Sequence, residues 1–342
     1  MPFISTIRSV YGPIGRMGRI IGAKDAITGG TISSAGGYRI HTFTDVGTSQ
    51  FNMSMVASAL NIEYLIIAGG GSGGYESSTY WGGGGAGGYR TGTISSSPSN
   101  YSVVVGAGGY NYSSTNWSNG LNSSFNGVVS VGGGSSGGPA PSGQGGPTGP
   151  EVLPQTGGSG SGGYFAKTPG SGTSGQGSSG GTSTSSSTNG GGGGGAGGVG
   201  ANGVDQAAGV LTNGYGGIGG AGMSSSINGS SITRASGGGG GGVRNNRDAA
   251  YPGTIQSSTP GGGGRGFSSN ANIWPPGSYG GIEYRALKGT PNTGGGGGGG
   301  LWDGYDYYTI NTSNSNFVPG PTSTLTGNEG GSGIIILRYT FP

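Results

Sequence analysis

Few residues in this chain could carry out chemistry. His41 is the only histidine, and there is no cysteine. A disulfide framework, a zinc-thiolate site and a His-rich metal site are therefore excluded. Gly133-x-Ser135-x-Gly137 has the form of a nucleophile elbow, which needs a helix behind the serine and a base beside it. His41 is the one candidate base, and it sits in a strand pattern. No helical pattern follows Ser135, and such matches arise by chance in a Gly/Ser-rich chain. Gly69-x-Gly71-x-x-Gly74 follows a strand pattern and has the form of a dinucleotide fingerprint. That fingerprint needs a helix whose N-terminus holds the pyrophosphate. Here Tyr75-Glu-Ser-Ser-Thr-Tyr-Trp-Gly-Gly83 follows, which is not helical. Asp303 and Asp306 lie among Trp302, Tyr305, Tyr307 and Tyr308. Paired carboxylates beside aromatics can bind calcium or act on a glycan. Two acids three residues apart are too few for a metal site, and polar decoration of an exposed loop is the plainer reading. His41 reads as a strand residue with a solvent or backbone partner. The expectation is a chain that is not an enzyme, with no catalytic residue, metal or cofactor.

The elements that would position such groups are unusual. Of 342 residues, 93 are glycine, about 27% and roughly four times average usage. Charged residues make up 7%, and the formal net charge is +3. That charge density is thin for phosphate contacts, so nucleic-acid binding is not expected. No apolar run approaches the ~18 residues of a membrane span. Arg8, Arg16 and Arg19 interrupt Met1–Ile21, so no signal peptide is expected. The glycines come in solid runs, Gly190–Gly195, Gly237–Gly242 and Gly294–Gly300, without the triplet period of collagen. Their spacing is too irregular for a solenoid. Flexible low complexity is the competing reading, but two strand patterns bracket the region. Glycine can also form polyproline II rods, with three residues per turn and ~3.1 Å rise. Without Cβ atoms such rods can pack side by side and pair their backbone groups between neighbours. The three runs are expected to be rods of this kind, packed on one another.

Four regions follow. Residues 1–30 form a basic arm with Arg8, Arg16, Arg19 and Lys24 before the first acid, Asp25. Residues 31–68 form a β-strand base: Tyr38–Phe43, Phe51–Val56 and the apolar run Ile62–Ala68, which reads as a strand buried on both faces. Residues 69–333 form the glycine lattice, interrupted by strands at 101–106 and 128–131. Residues 334–342 hold a closing strand that pairs near Ile62–Ala68. No amphipathic helix of useful length is present. The fold class expected is all-β with a glycine-rich polyproline II bundle or sandwich, and little or no α-helix. The inserts between glycine runs hold all four tryptophans and many tyrosines. Loops rich in Tyr, Trp, Asn, Ser and Gly on a rigid scaffold have the composition of a recognition surface. The competing role is to cover the lattice from water. An ice-binding bundle is disfavoured by the irregular spacing and bulky loops.

Several non-glycine blocks carry a resemblance. They are Gly36-Gly-Tyr-Arg-Ile-His-Thr-Phe43, Glu63-Tyr-Leu-Ile-Ile-Ala-Gly-Gly-Gly71, Gly82-Gly-Gly-Gly-Ala-Gly-Gly-Tyr-Arg-Thr-Gly92, Tyr101-Ser-Val-Val-Val-Gly-Ala-Gly-Gly109, Asn122-Ser-Ser-Phe125, Pro291-Asn-Thr-Gly-Gly-Gly-Gly297 and Gly331-Ser-Gly-Ile-Ile-Ile-Leu-Arg-Tyr339. In this order, over about residues 31–342, the chain resembles the glycine-rich domain of bacteriophage tail and virion proteins. The resemblance implies a tail-fibre or adhesin component that works in the virion, outside the cell. It implies receptor binding through the aromatic loops, with Tyr80, Trp81, Tyr112, Trp117, Trp274, Trp302, Tyr305 and Tyr307 as candidates gathered at one end. The expected ligand is a host surface polysaccharide or outer-membrane protein. Arg8, Arg16, Arg19 and Lys24 would attach the chain to other virion proteins, and a homotrimer would be in keeping with fibres. The alternative is a purely structural subunit of fibre, head, neck or baseplate.

Overall fold

A computed structural model describes residues 27–74, 81–110, 117–137, 153–183, 189–204, 215–244, 260–266, 268–270, 286–300 and 328–340. Among them there is no helix. The strands are β1 (Thr31–Ala35), β2 (Tyr38–Phe43), β3 (Gly47–Asn52), β4 (Leu60–Ile67), β5 (Tyr89–Ser96), β6 (Asn100–Val105), β7 (Ser123–Phe125), β8 (Val128–Ser130), β9 (Met223–Ser225), β10 (Ile232–Arg234), β11 (Gly242–Arg244), β12 (Ser268–Asn270) and β13 (Ile334–Thr340).

Two antiparallel sheets make a small sandwich. One has the order β1-β2-β13-β4-β5 and the other β3-β6-β7-β8. As its sequence predicts, β13 pairs with β4, with Leu337 opposite Tyr64. The apolar run in β4 is buried on both faces because its alternate side chains serve two cores. Ile62, Tyr64 and Ile66 meet Phe51, Val103, Phe125 and Tyr339 between the sheets. Leu65 and Ile67 face the other way, onto Ala86, Tyr89, Ile227 and Ala235. Arg338 pairs with Glu63 across the strands at 2.7 Å. Its guanidinium also lies 4.2 Å above the Tyr38 ring centroid. The turns suit their residues. Gly36–Gly37 joins β1 to β2 and Asn126–Gly127 joins β7 to β8, all four with positive φ. These are two-residue hairpin loops in the type I′ form that Asn-Gly and Gly-Gly favour.

Two details depart from the sequence reading. The strand expected over 51–56 ends at Asn52; Met53 adds one backbone hydrogen bond to the Ser99 carbonyl, and the chain turns before Met55. Ile27–Gly30, which composition groups with the arm, joins the sandwich. Thr28 exchanges two backbone hydrogen bonds with Asn52, and Ile27 is buried in the core. Strand β5 was not expected; Thr91–Thr93 are exposed, so it carries no apolar face that a pattern search could find.

Beyond the sandwich the chain forms rods. The hydrogen bonding of residues 82–88 shows their nature. Gly83 and Ala86 donate to Gly191 and Gly194; Gly84 and Gly87 donate to Gly297 and Gly294; Gly85 and Gly88 donate to Gly134 and Val131. Every third N–H thus points to the same neighbour, three residues further along it. A β-strand alternates between two sides, whereas a polyproline II helix turns once in three residues. The same segment accepts from Gly71 and Gly74, from Ser159 and Gly162, and from Gly238. It is therefore enclosed by three rods that accept and three that donate. Residues 69–74 repeat the pattern: their N–H groups go in threes to 121 and 118, to 331 and 328, and to 85 and 82.

The three long glycine runs take part as expected. Gly190 and Gly193 donate to Gly241 and Gly238, and Gly299 donates to Gly239. Of these runs only Gly294, at a turn, has positive φ. Glycine is required because a Cβ at Gly193, Gly237 or Gly297 would meet the carbonyl of Gly84, Gly193 or Asn328 of an adjacent rod closer than 3.0 Å. Where rods end, side chains take over the pairing. Asn122 Oδ1 accepts from Gly132 N, Asn119 Oδ1 from Ser135 N and Gln176 Oε1 from Val131 N.

Candidate functional site

Rod direction decides where the inserts emerge. β4 feeds 69–74 outward, and 82–88 returns to β5. Relative to these, 132–137, 177–183, 198–204, 235–241 and 294–300 run outward, and 189–196, 215–222 and 328–333 run back. The chain therefore leaves and re-enters the described lattice largely at its apical end, remote from the sandwich. Gly74 meets Gly82, Gly300 meets Gly74, and Val204 exchanges two 2.9 Å bonds with Tyr215. Tyr110 and Ser118 turn back part-way, beside Ser72. One return is different: Pro260–Gly262 re-enters at the sandwich end, beside Ser236 and Thr290. Ile27 lies at the opposite pole. Its neighbour Thr28 pairs with Asn52, which is opposite Asn100, at the end of β6 farthest from the lattice.

The candidate recognition residues divide accordingly. Tyr80, Tyr112, Trp274, Trp302, Tyr305 and Tyr307 lie outside the described residues, as do Arg8, Arg16, Arg19, Lys24, Asp303 and Asp306. Trp117 is half-buried. Trp81 is 2% exposed, which corrects its placement on a presented loop. It caps the enclosed rod 82–88. Its carbonyl accepts from Gly241, and its ring packs against Tyr164, tilted by 44° with centroids 4.3 Å apart. A bulky ring that cannot enter the lattice closes it instead. Tyr164, also 2% exposed, was missed because nothing in the sequence marks it as the partner of Trp81.

The residues with catalytic form are occupied structurally. His41 Nδ1 contacts the Gly29 carbonyl at 2.7 Å, and Nε2 lies 3.1 Å from the Tyr339 hydroxyl. A neutral imidazole donating from Nδ1 and accepting at Nε2 satisfies both. Burial holds its pKa below the usual value, the Gly29 carbonyl opposes this, and the Arg39 charge adds to the lowering. Ser135 is buried, with its N–H on Asn119 and its carbonyl accepting from Gln155. Both nitrogens of His41 face partners within the sandwich, so it serves no serine in the lattice. The N–H groups of Gly69–Gly74 are all taken by neighbouring rods, leaving none to cradle a phosphate. Among the described residues no three His, Asp or Glu side chains come together to hold a metal ion, and no helix is long and apolar enough to cross a membrane.

The arrangement defines a class: a β-sandwich continued by a lattice of polyproline II rods, which the chain leaves and re-enters largely at the end remote from the sandwich. The sequence model of a glycine-rich domain family matches residues 44–340, and the chain belongs to that family. No curated protein matches the chain.

Proposed function

We propose that the chain is a non-enzymatic bacteriophage virion protein, a tail-fibre or adhesin component that presents aromatic inserts to a host surface. The observation that carries this reading is polarity. Most of the rods deliver the insert-bearing ends of the chain to one pole, Pro260–Gly262 being the exception, and Ile27, which follows the arm, lies at the other. Such an axis suits a protein held by one end to a particle and offering the other to a receptor. The inserts contribute Tyr80, Tyr112, Trp117, Trp274, Trp302, Tyr305 and Tyr307, whose rings can stack on sugars or fill apolar pockets. Arg8, Arg16, Arg19 and Lys24 suit an acidic groove on another virion protein. The mature location would be the phage tail or fibre, as a homotrimer.

The burial of Trp81 favours a second reading, a structural subunit whose aromatics are lids on the lattice. One experiment separates the two. Trp117→Ala and Trp302→Ala are compared with wild type for adsorption of the purified protein to bacterial cells and for melting temperature. Adsorption falling at unchanged melting temperature supports the adhesin, because loss of a binding anchor commonly costs ~2 kcal/mol. A fall in melting temperature at unchanged adsorption supports the structural subunit.

A further inference from the structure

Five pairs of consecutive described residues have positive φ; Gly29–Gly30 and Gly261–Gly262 are glycine throughout, and the other three sit at the centre of tight turns. Two use the residues this conformation favours, Gly36–Gly37 and Asn126–Gly127. The third is Tyr164-Phe165-Ala166-Lys167, closed by Lys167 N–H donating to the Tyr164 carbonyl at 2.7 Å. Its central residues are Phe165 (φ 47°) and Ala166 (φ 56°). Both carry a Cβ that crowds the backbone in this region. Ala235 also has positive φ, but it is fully buried in the second core, where packing holds it. Phe165 and Ala166 are exposed, Phe165 by 51%. The strain is therefore kept at the surface, with a large apolar ring at the apex.

The supports below this turn are rigid. Gly163 donates to Gly181 and accepts from Gly191, and Gly170 donates to Ser161. Tyr164 is clamped against Trp81. The outward rod 160–163 and the returning 170–173 place the turn at the apical pole, where the other inserts emerge. Strained backbone persists where the surroundings enforce it and is concentrated at binding and catalytic sites.

We propose that Phe165 is a preformed binding anchor of the apical pole, and that its partner is a receptor protein with an apolar pocket. This rests on the adhesin reading and adds a residue that the sequence does not mark. The turn projects as a convex apex. A ring on such an apex fills a concavity in its partner, whereas a glycan would need the concavity on this side. The phenyl ring has no polar atom with which to orient sugar hydroxyls. Fixing it in a strained turn removes the ordering cost from the binding step.

The test uses the full chain, fluorescently labelled, on a panel of bacterial strains. The double variant Phe165→Asn with Ala166→Gly installs the residues found at Asn126–Gly127, and Ala166→Gly alone keeps the ring. The double variant is expected to lose at least about tenfold in apparent affinity. Its melting temperature should hold or rise by a few degrees, because strain is relieved. Ala166→Gly alone should adsorb like wild type. Protease treatment of the cells should abolish adsorption and periodate should spare it. A double variant that adsorbs normally, or melts several degrees lower, overturns the anchor and leaves the adhesin reading standing. Loss of adsorption to periodate rather than protease overturns the protein pocket in favour of a glycan. Wild-type adsorption to no strain overturns the adhesin reading and the anchor together.

Discussion

Replacing Gly297 by alanine tests the lattice at a single methyl group. Gly297 N–H donates to Gly71, and its carbonyl accepts from Gly84. A Cβ there would fall on the carbonyl of Asn328, with the Glu329 oxygen 2.7 Å away. Both are backbone atoms of a returning rod, so no side-chain rotation relieves the clash. The rods must separate by about 1 Å to reach ordinary contact. That strains the 2.8 Å bonds from Gly331 to Gly295 and from Gly294 to Ser332, which join these two rods. Leaving a buried backbone group unpaired costs about 1–3 kcal/mol. Two strained bonds therefore put the cost at ~2–6 kcal/mol, a large fraction of the ~5–15 kcal/mol that stabilises a domain. Gly297→Val adds branched bulk and should unfold the chain at room temperature. Gly198→Ala is the matched control. Its nearest neighbour would be Ala221 N at 3.6 Å, an ordinary contact, so this change should be neutral or stabilise by up to ~1 kcal/mol. Chemical denaturation followed by tryptophan fluorescence measures both. Equal midpoints for Gly297→Ala and Gly198→Ala would refute close packing of the rods.

Further outcomes follow from the sandwich and the cap. His41 stays neutral in the fold below the pH near 6.5 at which the unfolded chain takes up a proton. Stability is then fully present above that pH and falls as pH drops through the lowered folded value, and a His41→Gln titration should lose this slope. Burial pushes the Tyr339 hydroxyl up to about 12, partly opposed by Arg39, so stability should fall as pH rises from about 10 through 12, and Tyr339→Phe should flatten that limb. Arg338→Met removes the two bonds to Glu63 Oε2, at 2.7 and 3.0 Å, and the contact with Tyr38. The pair is partly exposed, so the loss should be about 1 kcal/mol, read from the denaturation midpoint; no change would mean that solvent replaces it. Trp81→Ala should destabilise by ~3 kcal/mol or more as a buried-ring deletion, and an unchanged midpoint would show that the ring does not close the lattice.

Fold class was legible because two physical signals survive a composition this skewed. An apolar run with no polar alternation, as at Ile62–Ala68, implies burial on both faces, and the two cores on either side of β4 supply it. A run of six or seven glycines implies a place where no side chain fits, and the rods supply that. What was not legible lies in three-dimensional register. Which run pairs with which cannot be read when the runs are chemically identical, and the side chains that pair with one rod, Asn119, Asn122 and Gln176, have amides that look like ordinary loop residues in sequence. Trp81 shows the same limit for the site. An aromatic that closes a lattice and one that meets a receptor have the same composition and flanks, and only the level at which the chain leaves its rod separates them.

The lattice also explains how one fold can hold both uniformity and variation. A rod bonded in six directions is fixed by its neighbours, whatever sequence joins its end to the next. Gly74 and Gly82 are paired in the lattice, and so are Val204 and Tyr215, so the inserts between them close on anchors already in place. Changing such an insert leaves the span between its anchors nearly fixed, which costs little because the entropy of closing a chain segment grows only slowly with its length. Changing a rod glycine alters several bonded neighbours at once. Substitutions between 205 and 214 should therefore leave the melting temperature within about 2 °C, while alanine at Gly193 should lower it far more, since its Cβ would meet the Gly84 carbonyl. A scan of both segments by thermal unfolding makes the comparison, and similar losses in the two would show that the inserts are part of the scaffold they leave.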